Sequence, residues 1–233
     1  MATSAVPSAG FWEGTPSRPT GGFEYELARE FASRFGLGVV RVRIVHFHRI
    51  VEGHLGGADI GLDLITPTSK REEALEFSAP YLKAAPTVMV RSGTEVPDLA
   101  TARELRWGAV RSTTFVDDIE TAISPEQSIS LFDGQREMLD ALRAGKIDAV
   151  MFDLPLAVAT AQHSGGRFEA VAQLPEHEAI SVALPRGSPN RQAVDSAISA
   201  FTADGTIERL LNRWVGSEAA EAEMAIPLLQ TTR

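Results

Sequence analysis

Apolar residues recur along this chain at two periods, and the switches between the periods lay out its elements. Phe23, Leu27, Phe31 and Phe35 return every four residues, which predicts a helix that Gly36 is placed to close. Residues 39–45, VVRVRIV, alternate apolar and charged side chains as a strand does. A short helix around residues 49–56 and the apolar strand Ile60–Leu64 follow. After the polar stretch Thr66–Glu76, residues 87–90 read as another strand and residues 91–105 as surface loop. A second series opens with the strand Trp107–Val110 and a helix after Thr114. It continues with the strand Ser128–Phe132 and a helix carrying Met138, Leu139 and Leu142 that ends at Gly145. The strand Ile147–Phe152 then runs into a helix, Leu154–Gln162, opened by Asp153. Ile180–Leu184 is a late strand, and two helices carry the stripes Val194, Ile198, Phe201 and Ile207, Leu210, Leu211, Trp214. Residues 1–22, rich in Gly, Pro, Ser and Thr, read as loop, and the tail from Ser217 is expected to be ordered only in part. Helices alternating with short strands predict an α/β chain with mostly parallel sheets.

Composition narrows the function more than the fold. At 233 residues the chain is long enough for two modest α/β lobes with real cores. Its 22 Lys and Arg against 31 Asp and Glu, a net charge of -9, argue against a nucleic-acid partner, which requires a basic surface. No apolar run approaches the roughly 18 residues of a membrane helix. Cysteine is absent, which removes disulfides, thiol nucleophiles and zinc–thiolate sites. The opening residues MATSAVPSAG have neither the basic start nor the apolar core of a signal peptide. Two expectations remain open: a cytosolic protein, or an exported one whose leader is absent ahead of Met1.

Three segments place polar groups at the end of a predicted strand, where ligands bind in open α/β sheets. In the first, Thr66, Thr68 and Arg71 follow the strand Ile60–Leu64. A guanidinium there can grip a carboxylate with two parallel hydrogen bonds, helped by threonine hydroxyls. The ordinary alternative is a solvated turn whose arginine pairs with Glu72 or Glu73. In the second, Ser112, Thr113 and Thr114 lead from a strand into a helix, whose free amides can bind an anion or whose start one of the three merely caps. In the third, Asp153 follows a buried strand and can hold an ammonium group or cap the next helix. Read alone, each ordinary explanation wins. An anion site and a cation site at matching strand ends in two α/β series suit a zwitterion.

In their order these segments resemble the extracellular amino-acid-binding proteins that feed ABC importers, family 3 of the solute-binding proteins. The resemblance runs from about Phe11 to Gly216. GGFEYELAREFASRFGL is similar to the family's opening helix motif, and LGGADIGLDLITPTSKREEALEFSAPY to its most specific stretch. AVRSTT resembles the second-lobe Gly-Thr-Thr helix start, ALRAGKIDAVMFD the segment ending in its ligand aspartate, and LPRGS with DGTIERLLNRWVG its last strand and helix. The resemblance implies the type II periplasmic-binding-protein fold: two α/β lobes joined by a two-segment hinge, with the ligand cleft between them. Residues 1–90 and 182–233 would form lobe 1, and residues 91–181 lobe 2. Arg71 would bind an α-carboxylate with Thr66 and the amides near Thr113 and Thr114. The Leu64 carbonyl and Asp153 would take the α-ammonium, and Phe11, with Trp12 beside it, would match the aromatic of a Pro-Pro-Phe loop. Membrane permease subunits are the implied partners of a monomeric protein, periplasmic or lipid-anchored at the outer face of the membrane. No catalytic residue, cofactor or metal is implied.

Departures from the family pattern fall on the same stretches. Leu64 stands where Gly, Ser or Pro is usual, and Ser112 replaces the Gly of Gly-Thr-Thr. Asp63, where a small residue is common, would favour a cationic ligand side chain if it faced the ligand, and Phe152 would line the pocket or belong to the core. Two other readings share the fold. A dehydratase acting on cyclohexadienyl or arogenate-like acids would need a general acid, for which Asp63, Glu13 and Glu178 are candidates. A sensor would use the same module fused to a signalling protein. His46, His48 and His54 lack the regularity of a metal site and are expected at the surface or at caps.

Overall fold

The structure, a computed structural model, describes residues 1–176, 178–216 and 224–230. It divides into two compact units. The first is Met1–Lys83 with Ala179–Gly216, and the second contains Ala84–Glu178 and the described tail, residues 224–230. The chain thus changes unit near Lys83 and Glu178, earlier than residues 90 and 181. The tail belongs with the second unit and not, as expected from sequence, with the first.

In the first unit, β1 (Ala2–Thr3), β4 (Arg43–Ile44), β5 (Gly61–Ile65), β6 (Leu75–Ala84) and β12 (Glu178–Pro185) form a sheet in the order β4-β1-β5-β12-β6. β1 lies parallel to both β4 and β5, while β12 runs antiparallel to β5. A polar hairpin, β2 (Glu13–Thr15) with β3 (Arg18–Gly21), precedes α1 (Phe23–Arg34). The hairpin and β1 fall within residues predicted as loop. Strands of two to four residues with no apolar alternation leave no period to read.

α1 forms as its pattern predicts. Leu27, Ala28 and Phe31 are buried, and after Phe35 the chain turns through Gly36 at φ 67, with Leu37 N–H on the Ala32 carbonyl at 2.8 Å. That is the Schellman ending, in which glycine adopts the left-handed conformation without a Cβ penalty. Phe35 lies past the helix end and is exposed, its ring stacked on Phe31. At the other end Gly22 has φ 107, and a Cβ there would sit 2.2 Å from the Phe11 carbonyl oxygen. α2 (Phe47–Val51), α3 (Ser69–Glu72), α8 (Arg191–Ala203) and α9 (Thr206–Trp214) complete the unit, α1 packing on α8 and α9.

The second sheet has the order β11-β7-β10-β8-β9, from β7 (Pro86–Arg91), β8 (Trp107–Val110), β9 (Ser130–Phe132), β10 (Ala149–Asp153) and β11 (Phe168–Gln173). β8 is parallel to β9 and β10, and β7 is antiparallel to β10 and β11. Both sheets are therefore mixed, with parallel pairs interrupted by β12 in the first and β7 in the second. β7 and β12, each beside a change of unit, run antiparallel to the neighbours named above. Around this sheet stand α4 (Leu99–Glu104), α5 (Thr114–Asp118) with a π-helical turn at Ile119–Ile123, α6 (Gln135–Arg143) and α7 (Leu154–His163). α4 was expected to be loop: it buries only Ala102, too little for a stripe, although Asp98 caps it by accepting from the Thr101 N–H at 2.8 Å. Trp107, Ile119, Ile123 and Met151 anchor the core, which Leu229 of the tail joins.

Candidate functional site

In the first unit the polar residues gather after β5. Leu64 lies inside that strand at φ 49, a left-handed conformation disfavoured for any side chain with a Cβ. The Leu64 N–H donates to Glu24 Oε1 at 2.8 Å, which holds the turn. Beyond it Thr68 caps the short α3, accepting from the Arg71 N–H at 3.2 Å. This cap sends the Arg71 side chain back along the turn, where Nη1 donates to the Thr66 carbonyl at 2.5 Å. The guanidinium also sits 5.4 Å from the Phe47 ring centroid, and the residue is only 7% exposed. A buried cation held this way is oriented before any ligand arrives.

Phe11 and Trp12 are each 1% exposed and packed into the first unit. The Phe11 ring meets Phe23 edge-on at 5.6 Å, and the Trp12 indole N–H donates to Glu24 Oε2 at 2.7 Å. Both are core residues of the first unit. Asp63 turns towards β1: its oxygens accept from Thr3 Oγ1 at 2.8 Å and the Ser4 N–H at 3.1 Å. Glu13 accepts from the Gly10 N–H at 3.0 Å.

Glu24 is the residue that sequence reasoning missed. It receives a third hydrogen bond, from Tyr81 Oη at 2.5 Å, and is 1% exposed. Burial, then the neighbouring Asp63 charge, push its pKa up to about 7, although its hydrogen bonds pull the other way. The signal was present: Glu24 lies in register with Ala28 and Phe31 on the buried side of α1.

In the second unit Ser112–Thr114 follow β8, and Asp153 is the last residue of β10. β8 and β10 are parallel neighbours, so these residues lie towards the same end of the sheet. Ser112 takes φ 66, and Thr113 and Thr114 begin α5. Thr113 Oγ1 donates back to the Val110 carbonyl at 2.8 Å, and Thr114 Oγ1 to Glu178 Oε2 at 2.9 Å, so neither hydroxyl caps the helix. Asp153 is 3% exposed and does not cap α7 either. The helix instead starts with the Leu154 N–H on the Ala85 carbonyl and Pro155 in its first turn. Phe152, next to Asp153, is a core residue, 4% exposed. Asp118 is pushed up to about 7, first by burial and then by the charges of Glu178, Asp117 and Glu176. His46 and His48 stack at 5.7 Å, and among the described residues no group of three His, Asp or Glu is arranged to hold a metal.

The model of the bacterial extracellular solute-binding proteins, family 3, matches residues 8–217. The chain belongs to this family. The L-cystine-binding protein TcyJ of Escherichia coli K12 is 22% identical over 204 residues, covering 86% of this chain and 76% of TcyJ. The membrane-bound lytic murein transglycosylase F of Ectopseudomonas mendocina is 26% identical over 206 residues, but those cover only 42% of its length against 84% of this chain. Among solved structures, the arginine-, lysine-, histidine-binding protein ArtJ of Geobacillus stearothermophilus superposes with a TM-score of 0.81 at 20% identity, over 93% of this chain and 94% of that one. The fold is the type II periplasmic-binding-protein fold.

Within family 3, the two departures noted in the sequence now have a conformational meaning. Leu64 and Ser112 stand at positions with φ of 49 and 66, where glycine costs nothing sterically. Ser112 is exposed, so Ser112→Gly should raise stability by about 1 kcal/mol, as relief of left-handed strain. Urea denaturation would show this as a higher midpoint at unchanged slope.

Proposed function

We propose that this family 3 protein captures a free amino acid outside the cytoplasm and delivers it to an ABC permease in the membrane. Arg71 takes the α-carboxylate with Thr66 and the amides of Thr113 and Thr114. The Leu64 carbonyl and Asp153 take the α-ammonium. The observation that carries this reading is Arg71, a buried guanidinium fixed against the Thr66 carbonyl beside the turn at Leu64. The amino-acid ligands named for TcyJ and ArtJ support the same class of solute. Phe11 and Trp12 serve this site through the packing around Glu24.

Binding proceeds without turnover. The three carboxylates considered as general acids each accept hydrogen bonds from their own unit: Glu13 from Gly10, Asp63 from Thr3 and Ser4, and Glu178 from Thr114. The protein acts as a monomer, exported to the periplasm or held by a lipid anchor at the outer face of the membrane.

A thermal-shift screen of the twenty free L-amino acids and L-cystine tests this. At least one should raise the melting temperature, with a shift that grows with concentration as RT ln(1 + [L]/Kd) requires. No stabilisation by any of them, or consumption of the stabilising compound, would overturn the reading.

A further inference from the structure

We propose that Glu24 is a positioning residue for ligand capture: its carboxylate holds the Leu64 N–H, and thereby the left-handed turn that presents the Leu64 carbonyl and Thr66. The inference rests on the amino-acid-binding reading above.

Three donors converge on this one carboxylate: the Leu64 N–H at 2.8 Å and Tyr81 Oη at 2.5 Å on Oε1, and the Trp12 Nε1–H at 2.7 Å on Oε2. Each comes from a different stretch of the first unit, so the carboxylate ties the segment before β2, the end of β5 and the middle of β6 to the first turn of α1. Leu64 is the strained member of the set, at φ 49. A left-handed conformation is strained for a residue with a side chain and persists only where its surroundings hold it. The Leu64 N–H bond to Glu24 supplies that hold. Two residues on, the Thr66 carbonyl receives Arg71 Nη1, so the orientation of the guanidinium depends on the same turn.

The arrangement suits only an ionised Glu24. A protonated carboxyl would bring a fourth hydrogen into a ring of three donors. Only Tyr81 can reverse and accept it, and the Leu64 N–H would then face a weaker, neutral acceptor. The titratable groups acting on Glu24 are Asp63 on β5, whose charge opposes ionisation, and Tyr81 on β6, whose hydrogen bond favours it. The first turn of α1 also favours negative charge through the helix dipole. Burial outweighs these helpers and leaves the carboxyl titrating near 7. Since Glu24 and Asp63 interact, the observed midpoint belongs to the pair.

The sign follows. If capture needs the ionised form, affinity rises with pH through about 7 and falls about tenfold between pH 8 and pH 6, from the protonated fraction alone. The probes are the amino acids of the screen above, histidine excepted because it titrates in this window, measured by isothermal calorimetry at pH 6, 7 and 8. Wild type should show the tenfold loss. Glu24→Gln should bind weakly at all three pH values with no slope, and Asp63→Asn should move the midpoint to lower pH. In the ligand-free protein, the Leu64 amide resonance should titrate near neutrality and should stop doing so in Glu24→Gln.

A Leu64 amide that is silent between pH 6 and pH 8 would overturn the proposal. So would Glu24→Gln retaining the wild-type slope, the result expected if Glu24 were merely structural. Should Glu24→Gln not fold, the wild-type titration and the Asp63→Asn displacement carry the test. If wild type binds none of the probes, the amino-acid reading fails, while the Leu64 amide still decides whether Glu24 governs the turn.

Discussion

Arg71→Ala is expected to weaken capture of the best amino acid from the screen by roughly thirtyfold to several thousandfold. This corresponds to about 2–5 kcal/mol, the cost of removing one partner of a buried charge pair. The loss is large because the guanidinium is 7% exposed and held in place by Thr66, so little orientation remains to be paid on binding. The fold should change much less. Thr68 caps α3 through the Arg71 backbone N–H, which alanine retains. The contact with Phe47 at 5.4 Å is worth about 0.5–2 kcal/mol. Arg71→Lys should fall between wild type and alanine, since an ammonium supplies charge without the planar fork. Calorimetric titration beside urea denaturation separates the two effects. Affinity within threefold of wild type in Arg71→Ala, with the protein folded, would move the carboxylate site elsewhere.

The strand ends of the proposed site were legible because they combine a burial pattern with a break in it. β5 gives way to Thr66, β8 to Arg111 and Ser112, and β10 ends on Asp153, and the structure brings Ser112 and Asp153 towards the same end of one sheet. Less legible was everything that depends on partners far along the chain. The helical register puts Glu24 on the buried side of α1, but it cannot show that Leu64, Tyr81 and Trp12 converge on its carboxylate. The direction in which Asp63 faces was open in the sequence, and only the structure shows Thr3 and Ser4 donating to its oxygens. The capping alternatives at Thr113 and Asp153 were reasonable from local sequence, yet neither side chain caps its helix. Backbone conformation at Leu64 and Ser112 was hidden for another reason. Neither residue type announces a positive φ, and both positions drew notice only as departures from a family pattern that prefers small residues.

The C-terminal tail gives the second large effect, since its described residues, 224–230, add to the core of the second unit. Gln173, the last residue of β11, donates its backbone N–H to the Pro227 carbonyl at 3.0 Å and accepts the Leu229 N–H at 2.8 Å. Its side-chain amide donates to the Ile226 carbonyl at 2.8 Å. These bonds align the segment so that Leu229 enters the cluster of Val88, Trp107, Ile119 and Met151, where it is 3% exposed, while Leu228 beside it is 51% exposed. The unbroken apolar run Met224–Leu229 shows no period from which that difference could be read. Leu229→Ala should cost about 2–5 kcal/mol, the transfer energy of the lost methyl and methylene groups plus the cavity they leave. Leu228→Ala should cost under about 0.5 kcal/mol, as exposed substitutions do. Urea denaturation followed through tryptophan fluorescence suits the comparison, because Trp107 belongs to the same cluster. Equal midpoints for the two variants would mean that the tail does not hold Leu229 in the core in solution. A low midpoint for Leu229→Ala alone would show that the second unit needs its last strand-like segment to be stable.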